Sequence, residues 1–368
     1  VKLKDFFDEA VVQSIAADLR RVSPAFDHEG FVRDATSGLA GLELTPRGWH
    51  VAEALRRHLP EDFPDAADVL VASLGPELDG TEGFGMGPFR YMPHVFYVAK
   101  YGLDDLEPAL AAQHALTKRF SAEFSIRAFL VRHLEETYDR LLTWTTDPNV
   151  HVRRLVSEGT RPRLPWAPRL RAFQEDPQLG LALLERLKDD PELYVRRSVA
   201  NHLNDISKDH PKLAAETGNR WSRGATPERR WIVRHALRSL IKRGDSAALE
   251  TIGYAGMPHI VVSDVRFSPS PVRKGDTLEF SAELTSTASG PQELLVDYGV
   301  HFVKANGAAR PKVFKLTKLT LQAGETVRLA GRVRFRDMTT RRHHPGRHVL
   351  DLRVNGVVVP MGGVELVA

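Results

Sequence analysis

Asp147-Pro148-Asn149-Val150-His151-Val152-Arg153-Arg154-Leu155 returns 43 residues later as Asp190-Pro191-Glu192-Leu193-Tyr194-Val195-Arg196-Arg197-Ser198. A third copy, Ile232-Val233-Arg234-His235-Ala236-Leu237, follows 38 residues on, and Phe124-Ser125-Ile126-Arg127-Ala128-Phe129-Leu130 reads as an irregular fourth. In each unit Asp-Pro or Thr-Pro opens a helix, by N-capping and by the fixed φ of proline, and Val-Arg begins its buried face. Such a unit cannot bury its apolar side alone, so neighbouring copies must stack into one continuous core.

Outward from the repeat, the first 250 or so residues keep the helical rhythm. Apolar residues recur at three and four residue intervals, as in Val11, Ile15, Leu19 and in Leu130, Leu134, Leu141. Pro- or Gly-bearing turns such as Ser23-Pro24, Leu59-Pro60-Glu61 and Asp190-Pro191 separate the runs. The 43-residue spacing lies within the roughly 40–47 residue range of HEAT arrays. The period changes at Ile260. Extended runs at 260–267, 278–284, 293–303, 313–321, 326–335, 349–354 and 357–367 alternate with turns such as Arg273-Lys274-Gly275-Asp276, Ala305-Asn306-Gly307 and Asn355-Gly356. This predicts a multidomain α-then-β chain: a HEAT-like α-helical repeat solenoid over residues 1–255, then an immunoglobulin-like β-sandwich over 259–368. Gly244–His259 is read as the linker, with Ile252 and Tyr254 able to pack on either side.

Composition narrows the class of function. The 368 residues include no cysteine, which excludes disulfides, thiolate metal sites and a cysteine nucleophile. No apolar run reaches the eighteen or so residues of a membrane span, and a cytoplasmic protein is expected. The net charge of +4 conceals an asymmetry: residues 1–112 carry 10 Lys+Arg against 19 Asp+Glu, 113–243 carry 25 against 16, and 259–368 carry 16 against 10. A polyanion held by the middle and C-terminal parts fits this balance, as does a merely solvated surface. The glycines of Gly83-Phe84-Gly85-Met86-Gly87 lack the strand and the Lys-Ser/Thr of a phosphate loop and read as an ordinary loop.

Three phrases carry the chemistry: Ser121-Ala122-Glu123-Phe124-Ser125-Ile126-Arg127, the run His151 to Trp166 containing Glu158-Gly159-Thr160-Arg161-Pro162-Arg163-Leu164-Pro165-Trp166, and Tyr194 to Lys208 containing Asn201-His202-Leu203-Asn204-Asp205. Together with Leu3-Lys4-Asp5-Phe6-Phe7 and Phe89-Arg90-Tyr91-Met92-Pro93 they closely resemble the AlkC branch of the HEAT-like repeat DNA glycosylases, over about residues 1–250. Part of that family carries a C-terminal immunoglobulin-like domain. The resemblance implies a cofactor-independent, monofunctional DNA glycosylase of base excision repair. It would hydrolyse the N-glycosidic bond of cationic methylated bases (3-methyladenine, 3-methylcytosine, 1-methyladenine) in duplex DNA, engaging the lesion largely within a distorted duplex. It further implies that Glu123, Glu158 and Asp205 are the active-site carboxylates and Trp166 the aromatic beside them. A base that already carries positive charge leaves with little acid catalysis, while the sugar gains oxocarbenium character, which the carboxylates would stabilise while positioning water. A fixed carboxylate there is worth roughly 3–4 kcal/mol and an aromatic face roughly 0.5–2 kcal/mol.

The residues also admit plainer roles. Glu123 with Arg127, and Arg154 with Glu158, stand at i,i+4 and fit helix-surface ion pairs. Trp166 fits a loop hydrophobe packed between repeats, and Asp205 a cap or turn residue. Against this, the 43-residue register maps Glu158 onto Asn201 and Asp205 onto Pro162, so these carboxylates are not part of the repeat. Arg154, Arg161, Arg163, Arg197 and Lys208 are the candidates for DNA phosphates. In the second domain Arg341 and Arg342, within Thr339-Thr340-Arg341-Arg342-His343-His344-Pro345-Gly346-Arg347-His348, are candidates for a backbone clamp, with a solvated hairpin loop equally compatible. His343, His344 and His348 lack a closed ligand set, and no metal is expected. No lysine stands out as a Schiff-base nucleophile, and a monomer is expected. The competing class is a non-catalytic HEAT scaffold that binds nucleic acid or a protein; an RNA-reading array lacks its regular base code.

Overall fold

The computed structural model describes residues 3–338 and 341–368. Its helices run from Glu9–Val22 to Ser246–Thr251, and the strands follow from Ile260. Among the described residues no helix is long and apolar enough to cross a membrane. The chain forms two compact units, Val1–His210 with Thr226–Ala236, and Pro211–Ala225 with Leu237–Ala368.

In the first unit the repeat phrases open the helices Val150–Gly159, Leu193–Asp209 and Pro227–Ala236, and the irregular copy forms Ser125–Arg132. Val152, Leu155, Val195, Val199, Ile232 and Val233 bury the shared face. Asp147 and Asp190 are not the N-caps that the sequence suggested. Each carboxylate instead accepts from the backbone N–H two residues on, at 2.8 Å (Asn149) and 2.9 Å (Glu192), making a turn ahead of the helix. Asn149 takes the cap itself, accepting from His151 N–H at 2.9 Å. Thr226, before Pro227, does cap its helix, accepting from Arg229 N–H at 3.2 Å. Leu130, Leu134 and Leu141 do not share one helix, because the chain breaks at His133 between Ser125–Arg132 and Leu134–Trp144.

The two arginines of each doublet diverge. Arg153 Nη1 returns to the Asp147 and Pro148 carbonyls (2.9 and 3.1 Å), and Arg196 Nη1 does the same at Asp190 and Pro191 (2.8 and 2.6 Å). Arg153 Nε also donates to Asp190 at 2.6 Å, stapling one repeat to the next. The second arginine, turned about 100° away on a helix, is left for other work.

The second unit contains the sandwich. Its strands are β1 (Ile260–Ser268), β2 (Val272–Arg273), β3 (Thr277–Ser286), β4 (Gln292–Val303), β5 (Ala309–Leu321), β6 (Thr326–Arg334), β7 (Gly346–Val354) and β8 (Val357–Val367). They form a three-stranded sheet, β1-β3-β6, and a five-stranded sheet, β2-β8-β7-β4-β5. The two-residue β2, paired parallel to β8, is too short for a periodicity signal and was not expected. Phe280, Leu284, Leu294, Val300, Phe335 and Leu350 fill the core without any disulfide. The expected linker contains a helix, Ser246–Thr251, capped by Asp245. Leu249 and Tyr254 pack against Leu295 of β4, which settles where Tyr254 goes.

Candidate active site

Glu158 lies in the last turn of Val150–Gly159, a position the apolar stripe of Val152, Leu155 and Val156 turns inward. Its side chain is 8% exposed. Oε1 accepts from Arg161 Nη1 at 2.7 Å and lies 3.5 Å from Arg154 Nη2; Oε2 accepts from the Ser198 hydroxyl at 2.6 Å. Burial by itself would raise the Glu158 pKa. The guanidiniums of Arg154 and Arg161 and the Ser198 hydroxyl outweigh it, and the carboxylate is held below its ordinary value.

Glu123 precedes Ser125–Arg132. Its partner is not Arg127, four residues on, but Arg154 of the following repeat, with the Ser121 hydroxyl at 2.9 Å. Arg127 is buried and ties down the loop after Glu158, donating to the carbonyls of Gly159 (2.9 Å), Arg161 (2.7 Å) and Pro168 (2.6 Å). Burial, and then the charge of Arg161, push its pKa down to about 10. That loop carries Trp166, 72% exposed and in the left-handed region at φ 65°. Such a backbone is costly for a bulky side chain and is kept where surrounding structure over-determines it. Trp166 is therefore presented outward, not packed between repeats.

Asp205 is buried four residues before the end of Leu193–Asp209, inside the helix, and is no cap. Its Oδ2 accepts from Arg161 Nε at 2.8 Å and its Oδ1 from Lys208 Nζ at 2.8 Å. Arg161, expected on the phosphate-facing surface, is instead buried between Glu158 and Asp205, because two carboxylates with almost no water need an internal counter-charge. Arg163 pairs with Asp209 (Nε to Oδ2, 2.8 Å), Arg197 is exposed, and Lys208 is half-exposed.

Glu123, Arg154, Glu158, Trp166 and Tyr194 share the wall of a cavity of about 1050 Å³. The lining also includes the aromatic residues Trp49, Phe89, Phe96, Phe120 and Phe124. Asp205 stands behind this wall, one ion pair beyond Glu158. Sequence reasoning missed Tyr194, whose ring lies 5.3 Å from the Arg154 guanidinium carbon. The repeat register aligns Tyr194 with His151, so the residue was visible but looked architectural. In the other unit, Arg341 lies over the Phe302 ring at 4.5 Å and Arg342 is exposed. His343 and His348 are buried against Phe302 and Phe335. Thr339 and Thr340 lie outside the described residues.

Known proteins are similar to this chain over its whole length. Residues 119–240, which carry the cluster, match the family described as "DNA alkylation repair enzyme". Residues 261–368 match the one described as "Uncharacterised protein YhaZ, C-terminal Ig-like domain". The chain is 36% identical over 357 residues to the uncharacterized protein YhaZ of Bacillus subtilis, covering 97% of each. It is 41% identical, with a TM-score of 0.92 and full coverage of both chains, to the Pseudomonas fluorescens alkylpurine DNA glycosylase AlkC, solved bound to DNA containing an abasic site analog. Fold and cluster thus define a HEAT-like repeat enzyme of DNA alkylation repair. The chain belongs to the AlkC-type DNA glycosylase family, with the C-terminal immunoglobulin-like domain.

Proposed function

We propose that this glycosylase hydrolyses the N-glycosidic bond of small cationic bases (3-methyladenine, 3-methylcytosine and 1-methyladenine) in duplex DNA. The observation that carries this reading is a buried carboxylate, Glu158, kept ionised by arginines in the wall of a cavity whose rim presents Trp166. The C1′–N bond breaks with its electron pair going to the ring, which neutralises the base, so no proton has to be donated to it. Glu158 stabilises the charge developing on the sugar, and Glu123 faces the cationic base. Water adds to C1′ and loses its proton to solvent, leaving an abasic sugar with a hydroxyl at C1′ and the neutral free base. Asp205 acts through Arg161, fixing the guanidinium that orients Glu158. Trp166 supplies its π-face to the cationic base or sugar.

Arg163, Arg197 and Lys208 contact the phosphates from the repeat domain, residues 1–255, and Arg341 and Arg342 from the immunoglobulin-like domain, residues 259–368, while Arg154, expected among them, is held between Glu123 and Glu158. The protein acts as a monomer in the cytoplasm, where its DNA substrate lies. The test is base release from methylated duplex DNA, with 3-methyladenine, 7-methylguanine and 3-methylcytosine separated by chromatography. Release of the small cationic lesions, lost in Glu158→Gln, supports the reading. Absence of any release by folded protein refutes it and leaves a DNA-binding scaffold.

A further inference from the structure

Ser198 breaks the apolar stripe of the repeat. The register that aligns Asp147 with Asp190 sets Ser198 on Leu155, and the third copy carries Ala236 at the same place. All three are buried, on the face that the repeats share, where a hydroxyl is unfavourable unless it is bonded. A serine or threonine within a helix ordinarily returns its hydroxyl to a carbonyl three or four residues back. Ser14, Ser73, Thr117 and Ser207 do so in this chain, at 2.7 to 2.8 Å. The Ser198 hydroxyl instead crosses to the preceding repeat and donates to Glu158 Oε2 at 2.6 Å. We propose that Ser198 is a positioning residue for base release, fixing one oxygen of Glu158 while Arg161 fixes the other. This rests on the glycosylase reading above and adds to it the group that sets the orientation of the carboxylate.

Both guanidiniums near Glu158 meet the same oxygen: Arg161 Nη1 lies 2.7 Å and Arg154 Nη2 3.5 Å from Oε1. The last torsion of a glutamate side chain is soft, so a carboxylate held at one oxygen can still turn. A second contact, on Oε2, removes that freedom. Asp205 is also held at both oxygens, but by two cations, Arg161 and Lys208. At Glu158 the second contact is a neutral hydroxyl. It orients the carboxylate without adding a third positive charge, which would offset the negative charge needed by the developing sugar cation. Burial opposes the ionised form of Glu158, and the charges of Arg154 and Arg161 and the Ser198 bond outweigh it. The remaining ionisable groups around Glu158 leave the neutral range to it. Glu123 and Asp205 are each paired with a guanidinium, burial raises the Tyr194 hydroxyl, and burial pushes His202 down to about 4. A change of pH dependence on altering Ser198 therefore reports on Glu158.

The test is single-turnover release of 3-methyladenine from methylated duplex DNA by the full-length protein. Ser198→Ala installs the residue that the third repeat already carries at this position, so the fold, checked by circular dichroism and thermal melting, should persist. Affinity for a duplex containing an abasic analogue should stay within about threefold, while the release rate at pH 7 should fall about tenfold. Losing the donor raises the pKa of Glu158, so the deficit should widen as pH falls from about 7 to 5. Ser198→Thr keeps a hydroxyl and should recover most of the rate, and Ser198→Cys, similar in size but a weak donor, should fall between serine and alanine. Folded Ser198→Ala with a rate within about twofold of the unaltered protein and the same pH profile refutes the role. So does a loss that is equal at every pH and tracks a lower melting midpoint, which would make Ser198 a packing residue. If threonine disturbs the packing, the cysteine variant decides, and a rate equal to that of Ser198→Ala counts against the role. Release by the unaltered protein and Ser198→Ala alike sinks this role alone, whereas no release by the unaltered protein sinks the glycosylase reading and the role with it.

Discussion

Glu158→Gln removes one negative charge and keeps nearly every atom. With its oxygen turned to Arg161 and its NH2 to Ser198, the amide retains both contacts, since a hydroxyl can accept as readily as donate. Arg161 still has Asp205, and Arg154 still has Glu123, so the cost in stability is about 1–2 kcal/mol. The catalytic cost is larger. A unit charge about 4 Å from the developing sugar cation contributes on the order of 4 kcal/mol at an effective dielectric near 20, and fixed electrostatic groups in active sites are worth roughly 3–4 kcal/mol. Single-turnover release of 3-methyladenine should therefore fall by two to three orders of magnitude. Affinity for a duplex containing an abasic analogue, read by fluorescence anisotropy, should change by less than about threefold. Because the arginines hold Glu158 below 4.5, the carboxylate is ionised throughout the neutral range and its protonation should impose no acid limb above about pH 5. Release within fivefold of the unaltered protein, or a loss that merely parallels lost affinity, refutes the assignment. So does an acid limb near pH 6 that disappears in the variant.

Other substitutions probe the surroundings. Trp166→Gly should lower base release about tenfold through the lost aromatic face, while relief of the left-handed backbone leaves the melting midpoint unchanged or higher by up to about 1 kcal/mol in stability; a midpoint drop of several degrees would show Trp166 to be packed. Arg127→Met leaves the Gly159, Arg161 and Pro168 carbonyls without their donor and should cost about 3 kcal/mol or more in chemical denaturation; an unchanged midpoint contradicts this. His202, packed against Gly180, is pushed down to about 4 by burial, against the opposing pull of Asp205. The unfolded chain takes up its proton from about pH 6.5 downward, so stability should fall between pH 6.5 and 4 by roughly 3 kcal/mol in total. His202→Gln should flatten that segment of the stability profile, and an unchanged slope would exclude His202 as its source. Asp209 is lowered to about 2, chiefly by its bond to Arg163, so that pair stabilises the fold above about pH 4 and is lost as pH falls through 2. The deficit of Arg163→Gln against the unaltered protein should therefore shrink over that window, and a deficit independent of pH would refute the linkage.

Elements with a period were legible in the sequence, and long-range partnerships were not. The seven longer strands and the repeat helices follow alternation and turn chemistry, which act over a few residues, whereas β2 at two residues carries no period at all. The repeat register separated Glu158 and Asp205 from architectural positions, because neither recurs 43 residues away. It could not say that Glu123 stands in the turn before its helix and reaches across to Arg154 instead of on to Arg127. An i,i+4 pair is a statement about one helix face, and the actual pairing depends on how neighbouring repeats approach. Arg161 departs from the pattern of basic residues near a polyanion site, which places them at the surface. Burying Glu158 and Asp205 draws one of those guanidiniums inward, and no local pattern reports which one.

The doublet Arg153-Arg154 shows how the array yields a reactive site without abandoning its architecture. Its first arginine repeats in Arg196 with the same backbone contacts, so it is a constant of the scaffold. The second is about 100° around the helix and its surroundings differ between repeats, with acids at one position and exposure at the next. Stacking thus fixes where the variable side chains point while leaving their identity open. Glu123, in the turn before Ser125–Arg132, Glu158, in the last turn of its helix, and Tyr194, near the start of the next, come from three successive repeat units and converge on one cavity. Reversing the order of one doublet is impossible here, since both members are arginine, but neutralising each in turn is not. Arg153→Gln should weaken the fold by about 1–3 kcal/mol through its lost contacts with Asp190 and two carbonyls, and should leave the rate of base release by the folded protein nearly unchanged. Arg154→Gln takes a guanidinium from Glu123 and Glu158 and should lower base release about tenfold or more, and equal effects on base release from both variants would refute this division of labour.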